Sequence, residues 1–168
     1  MKALTVKQPY AHLICSEIKD IENRSWYTNY RGSILIHAGK TIVRPKFEVP
    51  GQASTKEIEF ASAVNFVEEN SLTSAIIGSV EIVDCVENHH SIWAEKDCWH
   101  WVLENPKLFK NPIFNIKGKL SLWESQLNEM ICTECGERCY LLEESFCYNR
   151  HDVYGTCKNN EFDTIWIR

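Results

Sequence analysis

The chain has 168 residues, of which 44% are hydrophobic, 24% charged and 11% aromatic, with 7 glycines and 5 prolines. This composition excludes a collagen-like, low-complexity or disordered chain, and the length is typical of one globular domain or of one domain with a small appendage. The net charge of −5 argues against a general electrostatic nucleic-acid binder. However, residues 1–50 carry eight basic and four acidic residues, so the first part of the chain is basic and the remainder is acidic.

The predicted elements are short strands with two helices among them. A helix is expected after Pro9, because the missing N–H of proline costs nothing in a first helical turn. A second helix is expected to begin at a capping box of Ser54 and Glu57, and Ile58, Ala61, Val64 and Val67 then recur at helical spacing. The strands predicted from β-branched and alternating residues cover 3–6, 33–38, 75–85, 99–103 and 119–123.

The order of these elements indicates the fold class. A loop around Pro106 and Pro112 is expected between the last two strands. Strands outnumber helices and do not alternate with them regularly. The pattern therefore favours an α+β or closed-barrel fold over a Rossmann fold.

The cysteines suggest a division of the chain. Five of the eight fall in the last 37 residues, at positions 132, 135, 139, 147 and 157. A polar stretch at 124–126 precedes them. We therefore predict a main domain over 1–124 and a cysteine-rich tail over 131–168.

The densest polar segment lies between Lys7 and His37. If the segment around Glu22 is extended, Glu22 and Arg24 share one face and Lys19 precedes them. A carboxylate between two cations stays ionised, and the cations can then face an anionic ligand. The aromatic side chains on which a base could stack are Trp26, Tyr27 and Tyr30. The alternative is that these charges form a solvated surface and the aromatic rings belong to the core.

Several separated motifs occur in a recognisable order. The first are Gln8-Pro9-Tyr10, Lys19-x-x-Glu22-x-Arg24, Ser25-Trp26, Tyr30-Arg31-Gly32 and Ile36-His37-Ala38. The later ones are the run 77–85, Trp101, Asn105-Pro106, the Pro112 loop, and Gly118-Lys119-Leu120 before Trp123. Over about residues 2–124 this order resembles an ASCH domain (activating-signal-cointegrator homology). The resemblance implies an α+β fold built on a PUA-like small β-barrel with flanking helices.

The resemblance also implies a cleft that binds RNA or a modified nucleoside or nucleotide. Lys19, Glu22 and Arg24 would line it. The residues expected nearby are Lys7, Gln8, Trp26, Arg31 and His37. Two roles are possible for His37. It is either a hydrogen-bonded side chain that packs within its strand, or a group that contacts a phosphate or transfers a proton.

Two positions depart from the ASCH pattern. Glu17 stands where the family normally has a glycine, so the turn that ends the helix must accommodate a side chain. Some bacterial relatives hydrolyse N4-acetylcytidine with a lysine and a threonine three residues later. Lys19 matches the lysine, but Glu22 replaces the threonine, which counts against this amidohydrolase chemistry. A ribonuclease that uses Lys19 and Glu22 as candidate catalytic acid and base remains an alternative, so an enzyme is an open possibility.

The cysteine-rich tail contains a motif typical of zinc ribbons. In Cys132-Thr133-Glu134-Cys135-Gly136 two thiolates can reach one metal ion while the glycine permits the turn. The predicted ligands of a structural zinc are Cys132, Cys135, Cys157 and Cys147, with Cys139 and His151 as alternatives for the fourth. A ribbon that has lost its metal is the other interpretation. Because the tail is acidic, it suggests a third hypothesis, an adaptor that docks a protein partner.

The start of the chain and its hydropathy bear on location. The first residues are too polar for a signal peptide, and no run of about 18 apolar residues occurs. We therefore expect a cytoplasmic protein without a membrane partner. In that compartment its eight cysteines are thiols or metal ligands rather than disulfides.

Overall fold

A computed structural model describes residues 1–44, 55–70, 72–131, 138–142 and 154–155. Nine strands and two helices are formed by these residues. In chain order they are β1 (Lys2–Gln8), α1 (Tyr10–Cys15), β2 (Ile21–Arg24), β3 (Gly32–Ile42), α2 (Thr55–Glu69), β4 (Ala75–Val86), β5 (Trp99–Phe114), β6 (Leu122–Glu124), β7 (Leu127–Ile131), β8 (Arg138–Leu142) and β9 (Tyr154–Gly155). The predicted α+β class is confirmed.

The strands form one mostly antiparallel sheet. Its order is β6-β1-β3-β4-β5-β9-β8-β7, and β2 pairs with β5 beside this path. Among the strands of the described residues only β1 and β3 are parallel, in the register Leu4↔Ile36 and Val6↔Ala38. Among the strands that the structure describes, β6 and β2 form no pair that would close the sheet. The expected barrel is therefore seen as an open sheet.

The sheet buries side chains on both faces, as strand alternation requires. One face carries Leu4, Ile34 and Ile36, which pack with α1 and Trp101. The opposite face carries a smaller cluster that includes Leu35 and Trp123. A third cluster lies between α1, α2 and Trp93. The side chains of α2 that enter it are Phe60, Ala63 and Val64. Ile58 of the predicted apolar stripe is instead 60% exposed.

The predicted loop around Pro106 and Pro112 is wrong, because β5 runs through both prolines. Proline has no N–H for a ladder, so it is tolerated in a strand only where pairing is interrupted. The β4–β5 register shifts three times, and two of the shifts lie between Ile76 and Gly78 and between Ser79 and Glu81. Each proline falls in one of these irregular stretches. The last predicted strand, over 119–123, is reduced to β6.

The end of α1 confirms the turn expected at Glu17. The backbone of Glu17 has φ 65°. Its N–H donates to the carbonyl of Ile14 at 3.3 Å, and the N–H of Ile18 donates to the carbonyl of Leu13 at 3.0 Å. These two bonds define a Schellman motif, in which glycine is the usual residue at the left-handed position. The turn directs the chain into β2 and places Lys19 next to it.

The predicted boundary at 124–126 lies between β6 and β7. Residues near it contact the start of the chain: the amino group of Met1 donates to the carbonyl of Leu127 at 3.1 Å. Further along, β9 pairs with β5 at Gly155 and Asn111. The capping residue Ser54 and most of the tail lie outside the described residues. In the part of the chain that the structure describes, no helix is long and apolar enough to cross a membrane.

Candidate functional site

The centre of the predicted site is a carboxylate between two cations. Glu22 Oε2 lies 3.0 Å from Lys19 Nζ, and Glu22 Oε1 lies 3.0 Å from Arg24 Nη2. Glu22 and Arg24 are two residues apart in β2 and share one face, as predicted. The two side chains are brought to Lys19 by the turn after α1. We call these three residues the charged triad.

Lys19 is the buried member of the charged triad. Its side chain is 2% exposed. The ammonium also donates to the carbonyl of Ile21 and lies 5.8 Å from the centre of the Tyr10 ring. The carboxylate of Glu22 contributes to raising the pKa of the Tyr10 hydroxyl, although burial is the larger cause. Lys19 therefore positions the Glu22 carboxylate from the buried side of the charged triad.

Arg24 connects two strands that are not paired with each other. Its Nη2 donates to the carbonyl of Thr5 in β1 at 3.0 Å, and its guanidinium lies 6.0 Å from the Trp101 ring. The Nε of Arg24 is buried and has no hydrogen-bond partner among the described residues. The side chain remains 22% exposed. Arg24 thus fixes β2 against β1 and still presents part of its guanidinium to solvent.

A cavity of about 430 Å3 opens in front of Glu22 and Arg24. It lies where the parallel strands β1 and β3 both reach their carboxyl ends. Its walls come from β1, β2, β3, the first residue of α1 and the segment 119–121. The lining residues are Thr5, Val6, Lys7, Tyr10, Glu22, Asn23, Arg24, Gly39, Lys40, Thr41, Lys119, Leu120 and Ser121. We call this the basic cavity.

Three lysines give the basic cavity its charge. Lys7, Lys40 and Lys119 are exposed, and within the described residues none of them forms an ion pair. Among the described residues that line the cavity, Glu22 is the single carboxylate, and it is already shared by Lys19 and Arg24. An excess of positive charge in a concave site attracts anions.

Sequence reasoning found Lys7, Glu22 and Arg24 but missed the other half of the cavity. Lys40 and Thr41 were missed because β3 was expected to end at residue 38, whereas it continues beside β1 to Ile42. Lys119 appeared within a motif, yet nothing in its spacing indicated that the segment after β5 returns to β1. Lys40 would have been predicted if β3 had been extended to Ile42, where it still pairs with β1.

Lys19 and four predicted neighbours of the site, Gln8, Trp26, Arg31 and His37, do not line the basic cavity. Gln8 is buried, where its Oε1 accepts the backbone N–H of His12 at 3.0 Å and its Nε2 donates to the carbonyl of Leu72. Trp26 packs edge to face on Trp101 with 4.5 Å between ring centres. Arg31 pairs with Asp84 at 2.9 Å.

His37 is a packed side chain on the far side of β3 from the charged triad. Its Nε2 lies 2.9 Å from the carbonyl oxygen of Ile116 and must donate to it. Its ring lies 5.9 Å from that of Trp123. The Nδ1 is buried and has no partner among the described residues. Burial lowers the pKa of His37, and the bond to Ile116 opposes this effect. The neutral ring is therefore favoured.

All of the predicted zinc ligands belong to the cysteine-rich tail. Cys132, Cys135, Cys147, Cys157 and His151 lie outside the described residues, and Cys139 falls in β8. Elsewhere in the described part of the chain no group of three or more His, Cys, Asp or Glu side chains could hold a metal ion.

Comparison with known proteins adds independent information. A family model for the ASCH domain matches residues 4–113, about two thirds of the chain. The human protein Activating signal cointegrator 1 is 30% identical over 128 residues, which are 72% of this chain and 22% of that protein. The mouse protein of the same name is 30% identical over the same shares. The chain thus spans about a fifth of the length of these curated relatives.

Proposed function

The chain belongs to the ASCH domain family, and from this membership and the charge of the basic cavity we propose that it binds RNA or a nucleotide-like ligand there. At family level, membership supports a nucleic-acid-binding role. The observation that carries the proposal is the group of four cationic side chains around the cavity. Their shared location supports an anionic ligand in this cavity.

The residue types on the lining suit a phosphate group. The solvent-accessible part of the Arg24 guanidinium offers a fixed cationic donor, while Lys7, Lys40 and Lys119 offer point charges that adapt to the position of the phosphate. The hydroxyl of Thr41 adds a neutral donor. Phosphate contacts of this kind supply most of the affinity of nucleic-acid binders and little sequence preference.

A hydrolase that uses the same cavity is the alternative. Lys19 Nζ donates to two oxygens and is almost fully buried, and both carboxylate oxygens of Glu22 face cations. These contacts favour a positioning role for Lys19 and Glu22 over proton transfer to a substrate. We expect no acetate release from N4-acetylcytidine and no cleavage of labelled RNA. If the protein cleaved either substrate and Lys7→Ala abolished that activity, the cavity would be a hydrolase site and the preference for binding would be wrong.

The binding proposal is tested by removing cavity lysines. Binding of a labelled single-stranded RNA, measured by fluorescence anisotropy, should weaken about threefold to tenfold in Lys7→Ala and in Lys40→Ala. Both side chains are exposed, so the melting temperature should not change. Lys117→Ala is the matched control, because Lys117 is exposed but does not line the cavity. Equal affinity in all variants would contradict the proposal.

We also propose a structural zinc in the cysteine-rich tail, held by Cys132, Cys135, Cys157 and Cys147. The antiparallel pairing of β7 with β8 supports this, because the Cys-x-x-Cys segment connects the paired ends Ile131 and Arg138. Zinc would stabilise a segment that is too short to bury a core of its own. Elemental analysis should find about one zinc per chain. A folded protein without metal would disprove it.

A further inference from the structure

The charge of the basic cavity exceeds what one internal phosphate of a nucleic acid can neutralise. Lys7, Lys40 and Lys119 line it without an ion-pair partner among the described residues. A phosphodiester within a strand carries a single negative charge, whereas a phosphate monoester carries about −1.5 to −2 at neutral pH. Three free ammonium groups around one cavity therefore fit a monoester better than a diester.

The size of the cavity also favours one terminal nucleotide as the ligand over the interior of a nucleic-acid strand. Its volume of about 430 Å3 is in the range of small-molecule sites. The segment 119–121 forms one wall, and the chain from 115 to 121 has positive φ at Asn115 and Ser121. Gly118 in this segment packs so closely on His37 and Thr5 that no Cβ could fit. Lys119 and Leu120 are therefore held at the mouth of the cavity by a packed segment.

Leu120 is an apolar side chain beside the lysines of the basic cavity. It lines the basic cavity and is 94% exposed, the largest value among the exposed large hydrophobic residues that the structure describes. Next to it, Lys119 lies 5.7 Å from the centre of the Trp123 ring. An apolar group beside a cluster of cations matches a ligand that has a flat ring next to a phosphate.

We infer that the basic cavity binds the terminal phosphate monoester of a nucleotide, with the adjoining base against Leu120. The inference rests on the proposed function and narrows its ligand. Lys7, Lys40 and Lys119 contact the terminal phosphate, and the solvent-accessible part of the Arg24 guanidinium contacts the same group from β2. The monoester belongs either to the end of an RNA strand or to a free nucleotide.

The experiment compares RNA oligonucleotides of one sequence with a 5′-phosphate, a 3′-phosphate or hydroxyl groups at both ends. In fluorescence anisotropy, at least one phosphorylated form should bind about fivefold more tightly than the hydroxyl form. Lys119→Ala should remove this difference, and Lys117→Ala should retain it. A nucleoside monophosphate is then used as a competitor. If it competes as strongly as the phosphorylated RNA, the monoester belongs to a free nucleotide. If it competes more weakly, the monoester belongs to the end of a strand.

The outcomes separate this inference from the proposed function. If all three RNAs bind equally and Lys119→Ala weakens each to the same extent, the cavity binds internal phosphates and the inference is wrong, while the proposed function stands. If no RNA or nucleotide binds, both are wrong. Leu120→Ser should weaken the nucleoside monophosphate about threefold and leave inorganic phosphate unchanged. An equal effect on both would overturn the placement of the base.

Discussion

Glu22 is the residue that keeps the charged triad together. One of its carboxylate oxygens pairs with Lys19 and the other with Arg24. Burying three charges is unfavourable unless each is paired, and the loss of one partner leaves an uncompensated charge. The triad therefore makes the local structure specific: without Glu22, neither the buried ammonium nor the guanidinium has a nearby anion among the described residues.

We predict that Glu22→Gln lowers the free energy of unfolding by about 3 kcal/mol, because it leaves the Lys19 ammonium buried without a counterion. Urea denaturation followed by tryptophan fluorescence measures the change. Glu124→Gln is the control, since Glu124 pairs with Lys2 at the surface and its side chain is 66% exposed. That control should leave the stability nearly unchanged. If Glu22→Gln lowered the free energy of unfolding as little as Glu124→Gln, the charged triad would contribute little to stability.

His37 links stability to pH through its buried Nδ1. A second proton would place a charge on an atom that has no acceptor among the described residues. Burial lowers the pKa of His37 below the ordinary value of about 6.5. In the unfolded chain the ring therefore takes up its proton at a higher pH than in the folded protein. The contribution to stability is complete above about pH 6.5 and is lost as the pH falls.

We predict that the protein is less stable at pH 5.5 than at pH 7.5 and that His37→Gln reduces this difference. Glutamine can donate to the Ile116 carbonyl but takes up no proton. Part of the difference should persist, because burial also lowers the pKa of His12, which stacks on Phe66. Melting temperatures at the two pH values provide the measurement. An unchanged difference in His37→Gln would show that other groups cause it.

The turn after α1 is the element that delivers Lys19 to the charged triad. Its Schellman hydrogen bonds require a left-handed residue, and Glu17 occupies that position with φ 65°. A side chain in this conformation costs about 1–2 kcal/mol relative to glycine. The chain thus tolerates strain at a position where its family normally has glycine.

We predict that Glu17→Gly raises the free energy of unfolding by about 1 kcal/mol, because glycine adopts positive φ without a steric penalty. Glu17→Ala separates this effect from the loss of charge: alanine keeps the Cβ and should bring no gain. Both variants are compared by urea denaturation. Equal stabilisation in the two would indicate that the carboxylate of Glu17, and not its backbone, is unfavourable.

Elements with a clear pattern could be predicted from the sequence, and those that depend on tertiary pairing could not. The run of β-branched residues at 33–38 predicted the centre of β3, and Pro9 predicted the start of α1. In β5, Asn105 and Pro106 look like a turn, yet the irregular register with β4 absorbs them in a strand. The end of β3 at Ile42 likewise depends on its partner β1, which local sequence does not reveal.

At the scale of the whole molecule, the basic cavity is a local exception to an acidic chain. The charged triad follows from the order Lys19, Glu22, Arg24, because strand alternation alone places the last two on one face. Lys119 reaches the cavity only because β6 returns to pair with β1 through Ala3 and Trp123. The net charge of −5 therefore limits non-specific binding of nucleic acid outside the cavity, but it does not reflect the local charge of the cavity.

This charge distribution predicts a small salt dependence of RNA binding. For a single strand, each neutralised phosphate charge contributes about 0.7 to the slope of log K against log salt concentration. A terminal monoester with about two negative charges on the cavity lysines predicts a slope of about −1.4, and Lys40→Ala should reduce its magnitude by about 0.7. Lys117→Ala should keep the slope of the unmodified protein. Anisotropy titrations between about 50 and 200 mM salt measure it. A slope much steeper than this value would mean that phosphates bind along an extended surface, and the cavity would then be only one part of the binding site.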